Sequence, residues 1–216
     1  MVKSQITEAI DQIVSVGIHP VLKKQGFKKR GRTFHKRASD LYHVVCIQGS
    51  RYNEFDSGRF TINLGIASPD VTAVWFGGKV RQNPASHMLF HERIGFLLPM
   101  KKDHWWEIGP GTNLGELARE VSDSLTGHAL KFFEIPAFQS TQALLEALEK
   151  SELQMSLFGA PTVREELRAV LLYRTGRVDE ARAVLISLIT GMEHKRGLGG
   201  YVSRIRELGA RLGFDI

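Results

Sequence analysis

The sequence predicts an α+β fold: a mostly antiparallel sheet packed by helices, followed by an all-helical C-terminal segment. Three observations carry that expectation. Residues 59–68 alternate, with apolar Phe60, Ile62, Leu64 and Ile66 between Arg59, Thr61, Asn63 and Gly65, which is the period of a half-buried strand. The connections to the neighbouring β-branched runs are too short for a parallel crossover. After Pro136 the spacing becomes helical and no strand-like run follows.

Taken in order, the first element is a helix over 4–25. Ile6, Ile10, Ile13, Val14, Val21 and Leu22 recur at helical spacing, Ser4 is placed to cap the start, and Gly26 to end it. Pro20 lacks the donor that a helix interior needs, so a kink or division is expected there. A meander follows, with strands over 33–37, 41–50 and 59–68. A short helical turn lies around Val74, Trp75 and Phe76, and an exposed loop is expected over 79–86. Further strands are expected over 91–98 and 104–108, and then a helix capped by Thr112 or Asn113 and buried through Leu117, Val121, Leu125 and Phe133. These elements make an N-terminal domain of residues 1–136. Residues 137–216 form the helical segment, with patterns over 140–153, 163–175, 178–191 and 201–212 and a linker over 154–161. The run Arg174-Thr175-Gly176-Arg177-Val178-Asp179-Glu180-Ala181-Arg182 resembles the corner of a tetratricopeptide unit. It occurs once, whereas an array needs several copies, so a helical hairpin plus a last helix is the expectation.

The 216 residues, 43% hydrophobic and 24% charged, suffice for a sizeable core. No run reaches the ~18 apolar residues of a membrane span, and the start lacks the apolar stretch of a signal peptide. A single cysteine, Cys46, excludes an internal disulfide and fits a reducing compartment. The expected location is cytoplasmic, with no membrane partner.

The net charge of +6 is uneven, because residues 1–139 carry 18 Lys/Arg against 13 Asp/Glu, and residues 140–216 carry 11 against 10. Much of the excess sits in the acid-free interval 23–37. There Lys28, Lys29, Arg30 and Arg32 are candidates to neutralise nucleic-acid phosphates, with Phe27 and Phe34 placed to stack on bases. The plainer reading buries both rings and leaves the lysines as a solvated edge that discourages aggregation.

Alternation places Gln48 and Ser50 on one face of their strand and Asn63 on the polar face of the next, with Arg93 and Trp105 on later strands. Together these five residues are a candidate small-ligand or peptide surface, or else a set of cross-strand hydrogen bonds. Catalytic machinery has little support. His87, His91 and His104 lack the spacing of a metal site. Cys46 sits mid-strand, and Gly197-Leu198-Gly199-Gly200 follows a helix where a dinucleotide loop would follow a strand. The pair Glu165-Glu166 reads as a complement to a helix dipole. No catalytic residue, metal or cofactor is assigned.

Three motifs in the first half carry a resemblance. They are Gly26-Phe27-Lys28-Lys29-Arg30-Gly31-Arg32-Thr33-Phe34, then Phe60-Thr61-Ile62-Asn63-Leu64-Gly65, then Arg93-Ile94-Gly95 leading to Asp103-His104-Trp105-Trp106. Together they resemble a family of uncharacterised bacterial proteins that carry a domain of unknown function, over residues 22–133. The resemblance implies a fold unit and transfers no activity. The leading expectation is a non-enzymatic protein-binding module with an unidentified protein partner. Nucleic-acid binding through 23–37 is one alternative, and a small-ligand binder or enzyme using the polar sheet face is the other.

Overall fold

Ser4 caps the first helix, its hydroxyl accepting from the Thr7 amide at 3.3 Å. In the computed structural model, which describes residues 4–78, 83–153 and 160–216, this helix runs as α1 (Gln5–Ile13), a π-helical turn (Val14–Ile18) and α2 (His19–Lys24). The division expected at Pro20 takes the form of that wide turn. The His19 amide bonds the Val14 carbonyl, which shifts the register just before the residue that lacks a donor. Gly26 closes the helix at φ +82°, a left-handed conformation that glycine adopts without steric cost. Ile6, Ile10, Ile13, Val14, Ile18 and Leu22 are buried. At ~1.5–3 kcal/mol for each buried aliphatic side chain, that stripe holds the helix against the sheet.

Among the described residues the sheet has six strands: β1 (Lys28–Arg30), β2 (Thr33–Ala38), β3 (Leu41–Gly49), β4 (Gly58–Ala67), β5 (Met88–Arg93) and β6 (Trp106–Ile108). All pairs are antiparallel in the order β1-β2-β3-β4-β5, and β6 also pairs with β4. β5 lies along Asn63–Ala67 and β6 along Gly58–Phe60. They are two halves of one edge strand, separated by a detour through residues 94–105. The strand expected over 91–98 is therefore corrected. It ends at Arg93, and Ile94–Leu97 form the short helix α4. Its apolar run suited either structure, and the chain must leave the edge there so that β6 can take over.

One face of the sheet, through Phe34, Val45, Phe60, Ile62, Leu64 and Ile66, is buried under α1, α2 and α5 (Leu114–Gly127). Asn113 caps α5 through the amides of Gly115 and Glu116. The helix expected to reach Phe133 ends at Gly127, and tighter 3-10 turns follow over Ala129–Glu134 and Pro136–Phe138. These turns seat Phe132, Phe133 and Phe138 in the core, where Phe138 meets Phe90 at 5.2 Å between ring centroids.

The described residues of the tail form α6 (Thr141–Glu149), α7 (Pro161–Arg174), α8 (Val178–Met192) and α9 (Gly199–Arg211). α7 and α8 form the expected hairpin, and α9 packs on α8. Helix α3 (Pro69–Phe76) lies against α7 and α9. Arg211 donates to the carbonyls of Val74 and Trp75 at 3.1 and 2.7 Å. Glu166 does not serve a helix dipole as its sequence position suggested. It lies beyond the first turn of α7 and is fully enclosed. Among the described residues no helix is long and apolar enough to cross a membrane. The expected loop over 79–86 and linker over 154–161 fall partly outside the described residues.

Candidate functional site

Directly opposed residues of antiparallel strands share a face, so register decides what gathers on the side of the sheet away from α1 and α5. Thr33, Cys46, Asn63 and Arg93 form one row across four strands, and Gln48 stands opposite Thr61. At one end of this face a β-carbon on Gly65 would collide with the Met88 sulfur. The turn Pro84–His87 lies against β2, β3 and β4, and Val44 is fully buried. The end that carries Gln48, Arg59 and Trp105 is open, with Gln48 and Arg59 exposed and Trp105 half-buried.

The detour between β5 and β6 supplies the centre. Arg93 Nη1 donates to both carboxylate oxygens of Asp103, at 2.9 and 2.8 Å. The Trp105 indole N–H donates to the same carboxylate at 3.0 Å. The guanidinium groups of Arg93 and Arg59 stand 5.0 and 5.3 Å from the Trp105 ring centroid, within cation–π range. The Arg93 hydrogen bond, with help from Trp105, holds the Asp103 carboxyl below its ordinary range.

Gly95 makes this closure possible. A β-carbon there would collide with the Lys102 carbonyl and lie 2.6 Å from the His104 amide nitrogen. Thr61 Oγ1 anchors the returning chain by donating to the His104 carbonyl at 2.8 Å. Strand alternation then turns Trp106 inward, onto Phe60 at 5.4 Å, with its N–H on Glu120. The two adjacent indoles therefore differ in role, one facing outward and one in the core.

Asn63 Nδ2 donates to Gln48 Oε1 at 2.8 Å. Asn63 Oδ1 and Arg93 Nε are enclosed without a partner among the described residues. Of the five candidate residues, Gln48, Asn63, Arg93 and Trp105 come together. Ser50 continues their row beyond the end of β3, where its hydroxyl accepts from the Tyr52 amide in a tight turn.

The basic cluster divides. Lys28 stands opposite His35 and Arg30 opposite Thr33, so both join the face that bears Asn63. Burial, followed by the charges of Lys28 and Arg30, keeps the His35 pKa below its ordinary value. Lys29, opposite Phe34, faces the other way. Arg32 is committed elsewhere, to Asp11 at 2.7 Å and the Thr7 carbonyl at 2.7 Å, which pins the β1–β2 turn to α1. Phe27 and Phe34 are core residues. Cys46 is half-buried, with its sulfur 3.9 Å from Thr33 Oγ1.

Two residues of this site were absent from the candidate set. Arg59 was visible as a polar position of the alternating strand. Asp103 was visible only as two residues before Trp105, and its pairing with Arg93 depends on the detour.

No curated protein and no solved structure matches the chain. A family model does match, over residues 18–135, more than half of the chain and including every residue of the open face named above. The chain thus belongs to the DUF4304 family, which is described as a domain of unknown function.

Proposed function

We propose that this chain is a non-enzymatic protein-binding module that docks an acidic protein surface on the open side of its sheet. The observation that carries the reading is one of arrangement. Exposed Lys28, Arg30 and Arg59 share a face with half-buried Trp105, and none of the three makes an ion pair among the described residues. Tryptophan and arginine are enriched at the energetic centres of protein interfaces. Arg59 beside Trp105, with Arg30 in the row of Asn63 and Lys28 one row nearer the Pro84–His87 turn, favours a carboxylate-bearing partner and speeds encounter with it.

The alternative, nucleic acid, has less support. The aromatic rings of the basic segment are buried, Arg32 is held by Asp11, and a base stacking on Trp105 would compete with two guanidinium groups.

The test is NMR shift mapping of the full chain with a poly-glutamate peptide and, at matched ionic strength, an oligothymidylate. The expected result is movement of the Trp105 indole resonance and of amides near Lys28, Arg30 and Arg59 with the peptide. Replacing Trp105→Ala or Arg59→Gln should weaken binding by about tenfold, the loss expected of an interface anchor. Tighter binding of the oligonucleotide, with Trp105 unmoved by the peptide, replaces this reading with the nucleic-acid one.

A further inference from the structure

A cleft of about 570 Å³ opens on the helix side of the sheet, where the hairpin end of β2 and β3 meets the segments that follow α2 and α5. It shares none of the residues that surround Trp105, and its volume lies in the usual range for a small-molecule site. Aromatic rings form its floor. Phe27 and Phe133 are 5.6 Å apart between centroids, and His43 stacks on Phe133 at 4.6 Å, tilted by 13°. A carbonyl can only accept, so the 2.8 Å contact from His43 to the Phe138 carbonyl places the proton on Nε2 and leaves Nδ1 as an acceptor. Burial, reinforced by the Lys36 charge and opposed by the Phe138 carbonyl, holds the pKa of this ring below its ordinary value.

The rim is cationic. Lys36 and Lys131 line it, neither forms an ion pair among the described residues, and Glu134 is the carboxylate nearby. The Lys36 stem passes 4.0 Å from where a β-carbon of Gly26 would lie. Lys36 stands directly opposite His43 in the β2–β3 pair, so the two side chains leave the sheet on the same face and both line the cleft. A buried aromatic floor, with the Phe27 and Phe133 planes tilted by 47°, and half-buried Leu130 beside it, beneath two ammonium groups that form no ion pair among the described residues, suits one chemical class.

We propose that this cleft binds a small organic anion with an apolar body. The apolar body rests against Leu130 and the edges of Phe27 and Phe133, and the acidic group meets the rim that carries Lys36 and Lys131. This site is independent of the protein-docking face.

The test uses the full chain and two fluorescent probes that share an aromatic body. Anilinonaphthalene sulfonate carries the anion and phenylnaphthylamine does not. The expected result is saturable one-to-one binding of the sulfonate dye. The double variant Lys36→Gln/Lys131→Gln should weaken it by about tenfold, consistent with two partly exposed ionic contacts. The same variant should leave the uncharged dye unchanged, and Arg59→Gln should alter neither. The proposal is overturned if the folded protein shows no saturable binding of the sulfonate dye. It is equally overturned if the double variant binds that dye as the parent does, if both dyes weaken alike, or if Arg59→Gln produces the loss.

Discussion

Glu166 accepts a 2.9 Å hydrogen bond from the indole of Trp75, a residue 91 positions earlier in the chain. The same carboxylate receives the Tyr201 hydroxyl at 2.7 Å and Arg204 at 2.5 Å. One buried acid from α7 thereby ties α3 of the family domain to α9 of the tail. Burial, followed by the bond to Glu166, pushes the Tyr201 pKa up to about 12.

Glu166→Ala should be among the most damaging single substitutions in the tail. It leaves the buried Trp75 indole N–H and the part-buried Tyr201 hydroxyl without their acceptor, whereas Arg204, 43% exposed, can turn to water. A buried donor left unsatisfied costs roughly 1–3 kcal/mol. Urea unfolding of the two proteins measures the loss. A difference below about 0.5 kcal/mol, the range of an ordinary surface change, would show that the network contributes nothing.

Gly95→Ala should destabilise the chain by about 1–3 kcal/mol, the usual cost of forcing an extra carbon into a closed space. Gly109 has nothing within 4 Å of the corresponding position, so Gly109→Ala is the matched control and should stay near neutral. Thermal unfolding of both variants decides. Equal effects would mean that the close approach of residues 95 and 102–104 is not a constraint.

The Arg93–Asp103 pair should respond to acid in a defined direction. Because the folded protein holds Asp103 below its ordinary value of 3.8, the carboxylate contributes stability above that pH. The contribution is lost as the pH falls through the depressed value. The Trp105 indole N–H, which donates to this carboxylate, should shift in an NMR titration below pH 3.8 and should not titrate there in Asp103→Asn. An indole resonance with the same midpoint in both proteins would assign the titration to another group.

The division between residues 1–136 and 137–216 is a proposal with a direct test. A chain shortened to residues 1–150 keeps Phe138, which meets Phe90 and Phe132 in the core of the sheet. One ending at residue 136 loses it. Both should retain a sheet signal in circular dichroism, and the longer should be more stable by roughly 3 kcal/mol, the scale of losing a buried phenylalanine. If neither folds, the N-terminal part is not an independent unit.

How much of this was legible in the sequence depended on the range of each signal. β4 was readable because its alternation is local, and the starts of α1 and α5 because Ser4 and Asn113 cap helices from adjacent positions. The split between Trp105 and Trp106 follows from alternation once β6 is recognised. The helical turn at Ile94–Leu97 was hidden because its apolar run suits a strand as well as a helix. The basic cluster looked continuous because sequence gives order along the chain, whereas pairing of β1 with β2 sends Lys28 and Lys29 to opposite faces. The partners of Glu166 lie 35 to 91 positions away, and no local pattern encodes that distance.

The divided edge strand also constrains how the molecule can be recognised. β1 and β6 are three residues long and β5 six, and β1 carries only lysine and arginine. Neither border offers a long, neutral template of unpaired amides to which a foreign chain could add itself. On the docking reading proposed above, a partner must therefore read side chains and not main chain. The positions available for reading sit on a scaffold whose hydrogen-bond ladder does not depend on their identity. On the same docking reading, exchanging Arg59 or Lys28 would change which partner the surface accepts while the ladder beneath stays as it is.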